Sequence, residues 1–420
     1  MNSTAETKAL KCIRCGFCLD ACPTFRLTGN EADSPRGRIY LMRSVMEGEI
    51  PLASGVRAHL DACLGCRACE TACPSGVEYG TILEHFRGGM EARTGRPAAQ
   101  TFARKQLLGL LTSPGRLRAA LKGAGLLARI SGDRKTMPPF ASDLITGRSG
   151  ATVTLPAIPE NLSAAQLPEL SPAIGERRYR VGILAGCVMR VLFQESNLAT
   201  VRVLQRNGCE VVAPRAAGCC GALHLHSGYM ADAKQRARRL VETFRNVEMD
   251  AFVVNSAGCG STIKEYGELL ADDPVFADDA KRLAAKTKDV SEFLMEIGIT
   301  PPAGRFERTV AYHDACHLAH GQKITAAPRA LLRLIPGLTL VDLPESDTCC
   351  GSAGIYNMTQ PEMARKLLER KVRFIEETGA TVVATGNPGC LAWIQQGLAE
   401  RGREVQVLHP IEILDSAYSG

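Results

Sequence analysis

Short apolar runs alternate with longer amphipathic stretches through the second half of the chain. "YRVGILAGC", "EVVAP" and "AFVVNSAGC" each carry a few β-branched residues and then stop, as a buried strand does, whereas "SNLATVRVLQRNG" and "ADAKQRARRLVETFRN" place apolar residues at helical spacing. Strand and helix in alternation predict a parallel sheet, because parallel strands need a crossover helix between them. The same order returns about 130 residues later in "RTVAYHDAC", "TLVDLPESDTCC" and "TVVATGNPGC". Two copies of one α/β domain follow, over residues 179–305 and 306–420.

The first half reads differently. In "SPRGRIYLMRSVMEGEI", Ile39, Leu41, Met42, Val45 and Met46 recur at helical spacing, with Arg36 and Arg38 near the start, where they suit charge balancing or solvent better than binding of a free anion. Residues 93–150 form a basic helical connecting segment: from Arg93 to Arg129 there are eight Lys or Arg and no acid. Its leucines predict helices broken by Gly109, Gly115, Gly123 and Gly125, packed on a neighbouring domain rather than resting on anionic lipid. Four prolines in "TLPAIPENLSAAQLPELSPAIGERR" make residues 151–178 a linker.

Composition narrows the function. A net charge of +6 over 420 residues and one tryptophan, Trp393, give no footprint for nucleic acid. Apolar stretches such as "LLGLL" at 107–111 are far too short to span a membrane, and "MNSTAETKAL" has no secretory pattern, so the chain reads as cytoplasmic, with any membrane contact peripheral and on the inner face. In that compartment seventeen cysteines point to metal ligation rather than disulfides.

The cysteines are ordered. "CIRCGFCLDACP" and "CLGCRACETACP" both follow C-x2-C-x2-C-x3-C-P. At this spacing three thiolates wrap one [4Fe-4S] cluster and the fourth reaches the other. Cys12, Cys15, Cys18 and Cys73 are therefore the expected ligands of one cluster, and Cys63, Cys66, Cys69 and Cys22 those of a second, within a two-cluster ferredoxin-like α-helical domain at residues 1–92. Pro23 and Pro74 lead the chain out of each loop. Zinc knots are the competing reading, but they favour separated C-x2-C pairs.

In the repeats, Cys187, Cys219, Cys220 and Cys259 correspond to Cys316, Cys349, Cys350 and Cys390, as C-x31-CC-x38-C and C-x32-CC-x39-C. All lie beyond predicted strand ends, the edge at which parallel sheets bind ligands, so each copy gathers four thiols suited to one metal site. Gly221 and Gly351 let the backbone approach and hydrogen-bond the sulfurs. His313, His317 and His320 around Cys316, and His224 and His226 after the first doublet, are expected to support ligands rather than ligate. Cys209 has no counterpart and reads as an ordinary buried thiol.

These motifs, and above all "CIRCGFCLDACPTFRLTGNEADSPRGRIYLMR", "HLDACLGCRACETACPSGVEYG", "SAGCGSTIKEYG" and "TCCGSAGIY", resemble the iron-sulfur subunit of glycolate oxidase (glycolate dehydrogenase), within a larger group carrying paired cysteine-rich CCG domains. The resemblance covers nearly the whole chain. It implies two [4Fe-4S] clusters, further iron-sulfur clusters in the CCG domains, and an FAD-bearing partner subunit that oxidises glycolate and sends electrons through this chain to a quinone or other membrane acceptor. Related heterodisulfide reductase subunits end each CCG domain in C-x-x-C and hold a non-cubane cluster. Here "GST" follows Cys259 and "LAW" follows Cys390, leaving four cysteines per copy, enough for an ordinary cubane. No G-x-G-x-x-G follows a predicted strand, so no FAD or NAD site and no catalytic residue is expected in this chain. A lactate or glycerol 3-phosphate dehydrogenase complex, a disulfide reductase using the doublets as reactive thiols, and a structural zinc protein are the alternatives.

Overall fold

A computed structural model of the chain describes residues 3–52, 54–131, 136–154 and 166–419. The described residues up to Arg93 are mainly helical, with the cysteine runs in loops between short helices except for Cys69, which lies in helix Ala68–Thr71. The helix expected after the first run spans Pro35–Met46; Ser34 caps it by accepting the Gly37 N–H at 3.0 Å, and Pro35 opens it. Ile39, Met42 and the whole of Arg38 are buried on its inner face.

The connecting segment forms helices Ala98–Leu111, Pro114–Ser131 and Pro139–Thr146. The glycine breaks expected here do not occur. Gly109 lies inside the first helix and Gly115, Gly123 and Gly125 inside the second, because a glycine costs a helix only about 1 kcal/mol; the break falls at Thr112–Ser113, just before Pro114. Leu107, Leu108 and Ile145 pack against Tyr229 of the first repeat and Ile355 and Met358 of the second. Basic residues here turn inward: Arg104 is buried, and Arg96 pairs with Asp61 at 2.7 Å and Glu91 at 2.9 Å. The segment is packing surface for both repeats.

Residues 155–165 of the expected linker lie outside the described residues. Its remainder is not all linker, since Leu170–Ser171 (β1) pairs antiparallel with Cys209–Val212 (β3). With Tyr179–Ile183 (β2), Ala251–Val254 (β4) and Thr287–Asp289 (β5) these make a five-stranded sheet in the order β1-β3-β2-β4-β5, parallel apart from β1. The second copy, from Thr309–Tyr312 (β6), Thr339–Val341 (β7), Val382–Ala384 (β8) and Gln406–Leu408 (β9), is a parallel sheet in the order β7-β6-β8-β9. One apolar core runs through both, joining Val181 and Ile183 to Val310, Val382 and Leu414. Each copy's closing helix packs on the other copy: Val290–Ile297 meets Ala326–Arg333, and Pro410–Ser419 meets Gln194–Arg206. This exchange turns the strand ends of the two sheets toward each other, where the Ala257 N–H donates to Gly386 O at 3.0 Å. Among the described residues no helix is long and apolar enough to cross a membrane.

Helix Val290–Ile297 begins with a reciprocal cap. Asp289 accepts the Ser291 N–H at 2.8 Å, and Glu292 accepts the Asp289 N–H at 3.0 Å. Burial pushes the Asp289 carboxyl up from 3.8 to about 6, against the hydrogen bonds from Ser291. Because the folded state holds this proton more tightly than the unfolded one, the stability it contributes is complete below 3.8 and is lost as pH rises through about 6. Asp289→Asn keeps a capping side chain and removes the titration. Urea midpoints measured anaerobically near pH 4 and pH 7.5 are expected to shift in favour of the variant at the higher pH; a difference that does not change with pH would contradict this.

Candidate metal centres

The two N-terminal cysteine loops are conformational mirrors. In the first, Arg14 (φ 60°) and Gly16 (φ 92°) flank Cys15; in the second, Gly65 (φ 64°) and Arg67 (φ 65°) flank Cys66. Left-handed residues on both sides of the middle cysteine curl each loop so that its sulfurs face inward. Cys12, Cys15, Cys18 and Cys73 line one cavity together with Cys69, and Cys22, Cys63, Cys66 and Cys69 line a second. All seventeen cysteines are free thiols.

Arg38 sits beside the second group. Its guanidinium donates to His59 O at 2.7 Å, Thr24 Oγ1 at 3.0 Å and Asp33 Oδ1 at 3.5 Å, and lies 3.9 Å from Cys22 Sγ. Burial opposes its charge, but Cys63, Tyr79, Cys22 and Asp33 outweigh burial and hold it protonated. For Cys63 burial resists ionisation, and Arg38, Arg87, the Gly65 N–H (3.4 Å) and the Tyr79 hydroxyl (3.6 Å) overcome it, so this thiol is held below its ordinary value. Grouped soft thiols with a buried compensating cation are the donor chemistry of an anionic iron-sulfur cluster. Arg36, read alongside Arg38 in the sequence, does something else: it pairs with Glu31 at 2.7 Å and donates to Arg14 O at 3.3 Å, bracing the first loop from outside.

The eight repeat cysteines face one cavity of about 210 Å³ between the two sheets. Within each copy the thiols are linked in the same sequence, Cys187 to Cys219 to Cys220 to Cys259 and Cys316 to Cys349 to Cys350 to Cys390. Cys259 and Cys390 lie beyond β4 and β8, in the first turn of helices Ala257–Lys264 and Pro388–Glu400. The glycines after the doublets also have a second duty. Gly221 (φ 87°) does donate to Cys219 Sγ at 3.4 Å, yet a Cβ there would stand 3.0 Å from Ala233 O, and at Gly351 (φ 93°) 2.6 Å from Ala364 O. Each glycine lets the doublet lie directly on the following helix.

Cys209 lies in β3, wholly buried, with its thiol pushed up to about 12 by burial.

The histidines divide into two groups. His317 meets Gly65 O at 3.1 Å and His320 meets Thr71 Oγ1 at 2.9 Å, joining the second repeat to the N-terminal domain; His226 meets Glu84 Oε1 at 2.7 Å. Burial, aided by His226 and Arg67, pushes His317 down to about 3, so its ring is neutral. His313 instead lies among sulfurs, with Cys350 and Cys390. Sequence reasoning missed Arg67. From the second cysteine loop it reaches Ser261 Oγ at 3.4 Å and pairs with Glu265, on the helix region that follows Cys259. Its only signal was an arginine where the first loop has Gly16.

Comparison with known proteins agrees with this geometry. Residues 8–77 match the 4Fe-4S dicluster domain family, and residues 181–264 and 310–395 match the cysteine-rich CCG domain family. A probable glycolate oxidase iron-sulfur subunit of Bacillus subtilis is 36% identical over 97% of this chain and 94% of its own length, and the glycolate oxidase iron-sulfur subunit of Escherichia coli is 37% identical over 98% and 95%. The chain belongs to the glycolate oxidase iron-sulfur subunit family. It is an iron-sulfur protein with a two-cluster ferredoxin-type domain and two CCG domains. Lactate utilization protein A of B. subtilis is 33% identical over 56% of this chain and 99% of its own length. A hypothetical protein from Helicobacter pylori has a solved structure with a TM-score of 0.58 at 9% identity, covering all of this chain and 73% of that one, a likeness of fold alone.

Proposed function

We propose that this chain is the electron-transfer subunit of a glycolate-oxidising complex, carrying electrons from an FAD-bearing partner to a quinone or another membrane acceptor. The observation that carries the reading is that its thiol-lined cavities adjoin one another. Cys69 lines both N-terminal cavities, and Leu64 lines the second of them and the large cavity between the CCG domains. Cys66 also lies close enough to Cys316 for their charges to interact. On this reading Cys12, Cys15, Cys18 and Cys73 hold one [4Fe-4S] cluster, Cys22, Cys63, Cys66 and Cys69 the second, and the two cysteine quartets of the CCG domains hold further iron-sulfur groups. Such clusters, when bound, accept and release single electrons at potentials set by charge, hydrogen bonds to sulfur and burial.

The chain's own residues supply those settings. Arg38 offsets negative charge in the inner N-terminal site, and Arg67 with His317 and His320 fixes that site against both CCG domains. At the far end Cys15 is exposed, and Leu10, Ile13 and Phe17 beside it are 60%, 69% and 69% exposed, an apolar rim suited to a partner subunit.

The test is reconstitution. Co-expressed with an FAD subunit, the chain should co-purify with flavin and support glycolate-dependent quinone reduction, and alone it should oxidise no glycolate. Glycolate oxidation or disulfide turnover by the isolated chain would overturn the proposal. Lactate as the partner's substrate is the second reading, carried by the likeness to lactate utilization protein A; glycolate is preferred because its relatives match over nearly their whole length and nearly all of this chain.

A further inference from the structure

The two CCG domains present different donors. His313 is fully buried, and one of its ring nitrogens and the sulfurs of Cys350 and Cys390 all lie within 4.8 Å of one another. Neither nitrogen of His313 has a hydrogen-bond partner other than the Cys350 sulfur. Buried polar groups are rarely left so, since each costs free energy unless it is paired. His409, nearly as buried, shows how this chain satisfies a structural imidazole: Nε2 meets Asn255 O at 2.9 Å and Nδ1 accepts the Ile411 N–H at 3.1 Å.

The first repeat supplies the control. Three residues before Cys187 stands Leu184, the counterpart of His313 three residues before Cys316. The backbone agrees, because the Leu184 N–H donates to Val253 O on β4 and the His313 N–H to Ala384 O on β8. Leu184 is buried in the same apolar cluster as Cys220. The fold therefore accepts an apolar side chain at this position, and an imidazole there serves something other than packing.

We propose that His313 is a metal ligand, so that the second CCG domain holds a mixed imidazole and thiolate centre where the first uses thiolates alone. This rests on the reading that the CCG cysteines bind iron-sulfur groups. A neutral imidazole brings less negative charge than a thiolate, and histidine in place of cysteine raises the potential of an iron-sulfur centre.

The experiment uses the full chain, purified anaerobically with 15N-labelled histidine and examined by pulsed EPR in oxidised and reduced states, with iron and sulfide counted in parallel. A strongly coupled histidine nitrogen is expected, absent from His313→Leu, a variant that copies Leu184 of the first repeat and is therefore expected to fold. His313→Cys should restore any lost iron while lowering the midpoint potential of that centre. Strong coupling that survives in His313→Leu, only the weak coupling of a hydrogen bond, or no nitrogen signal in either state would overturn the proposal while the CCG iron remains. Iron content unchanged by Cys220→Ala and by Cys350→Ala would instead overturn the reading on which it rests.

Discussion

Arg38→Met is expected to strip iron from the inner N-terminal centre and to lower the stability of the chain by about 3–5 kcal/mol, the usual cost of removing one partner from a buried charged group. Arg38 is fully buried. Its loss abandons the Thr24 hydroxyl, the His59 carbonyl and the Asp33 carboxylate, and leaves Cys22 and Cys63 without their buried cation. Methionine fills similar space but offers neither charge nor donors. Lysine retains the charge without the planar fork that reaches three partners, so Arg38→Lys should recover part of the iron and part of the stability. Anaerobic urea unfolding with iron and sulfide counts checks both. Full iron content and an unchanged midpoint in Arg38→Met would show that its charge balances nothing.

The second large effect is expected at the doublet glycines. Gly351→Ala must hold an L side chain at φ 93° and place its Cβ 2.6 Å from the Ala364 carbonyl oxygen, a backbone atom inside helix Pro361–Glu377 that cannot swing aside. Backbone strain of about 1–3 kcal/mol adds to a similar cost of overpacking, which together reach about 2–6 kcal/mol. Relief requires the doublet to lift from the helix, which moves Cys349 and Cys350 away from Cys316 and Cys390. Gly221→Ala should follow the same course more mildly, because its Cβ would stand 3.0 Å from Ala233 O. The order of iron loss and of destabilisation, Gly351→Ala before Gly221→Ala, is the measurable outcome. Equal stability of either variant with the parent would contradict the contact.

Much of this was legible in the sequence because it repeats or alternates. Strands β2, β3, β4, β6, β7 and β8 announce themselves as apolar runs bounded by polar residues, and the cysteines by equal spacing in duplicate. What escaped is set by partners far away in the chain. Strands β1, β5 and β9 lie at sheet edges and exist because a neighbouring strand offers its own edge. Arg104 is buried and Arg67 ties two domains together, both through neighbours distant in the chain. His313 stood out in the sequence beside Cys316, but only the comparison with Leu184 at the equivalent backbone position separates it from the other histidines. The doublet glycines read as serving sulfur, whereas their positive φ and the carbonyls beneath them come from the packing of the helix that follows.

The most direct test of the account is EPR of this chain in anaerobic complex with the proposed FAD-bearing partner, frozen after mixing with glycolate. Reduced [4Fe-4S] signals are expected to appear with flavin turnover, and Arg38→Met should diminish the share that belongs to the inner N-terminal centre. Flavin that cycles with glycolate while every iron-sulfur centre of this chain stays oxidised would contradict it.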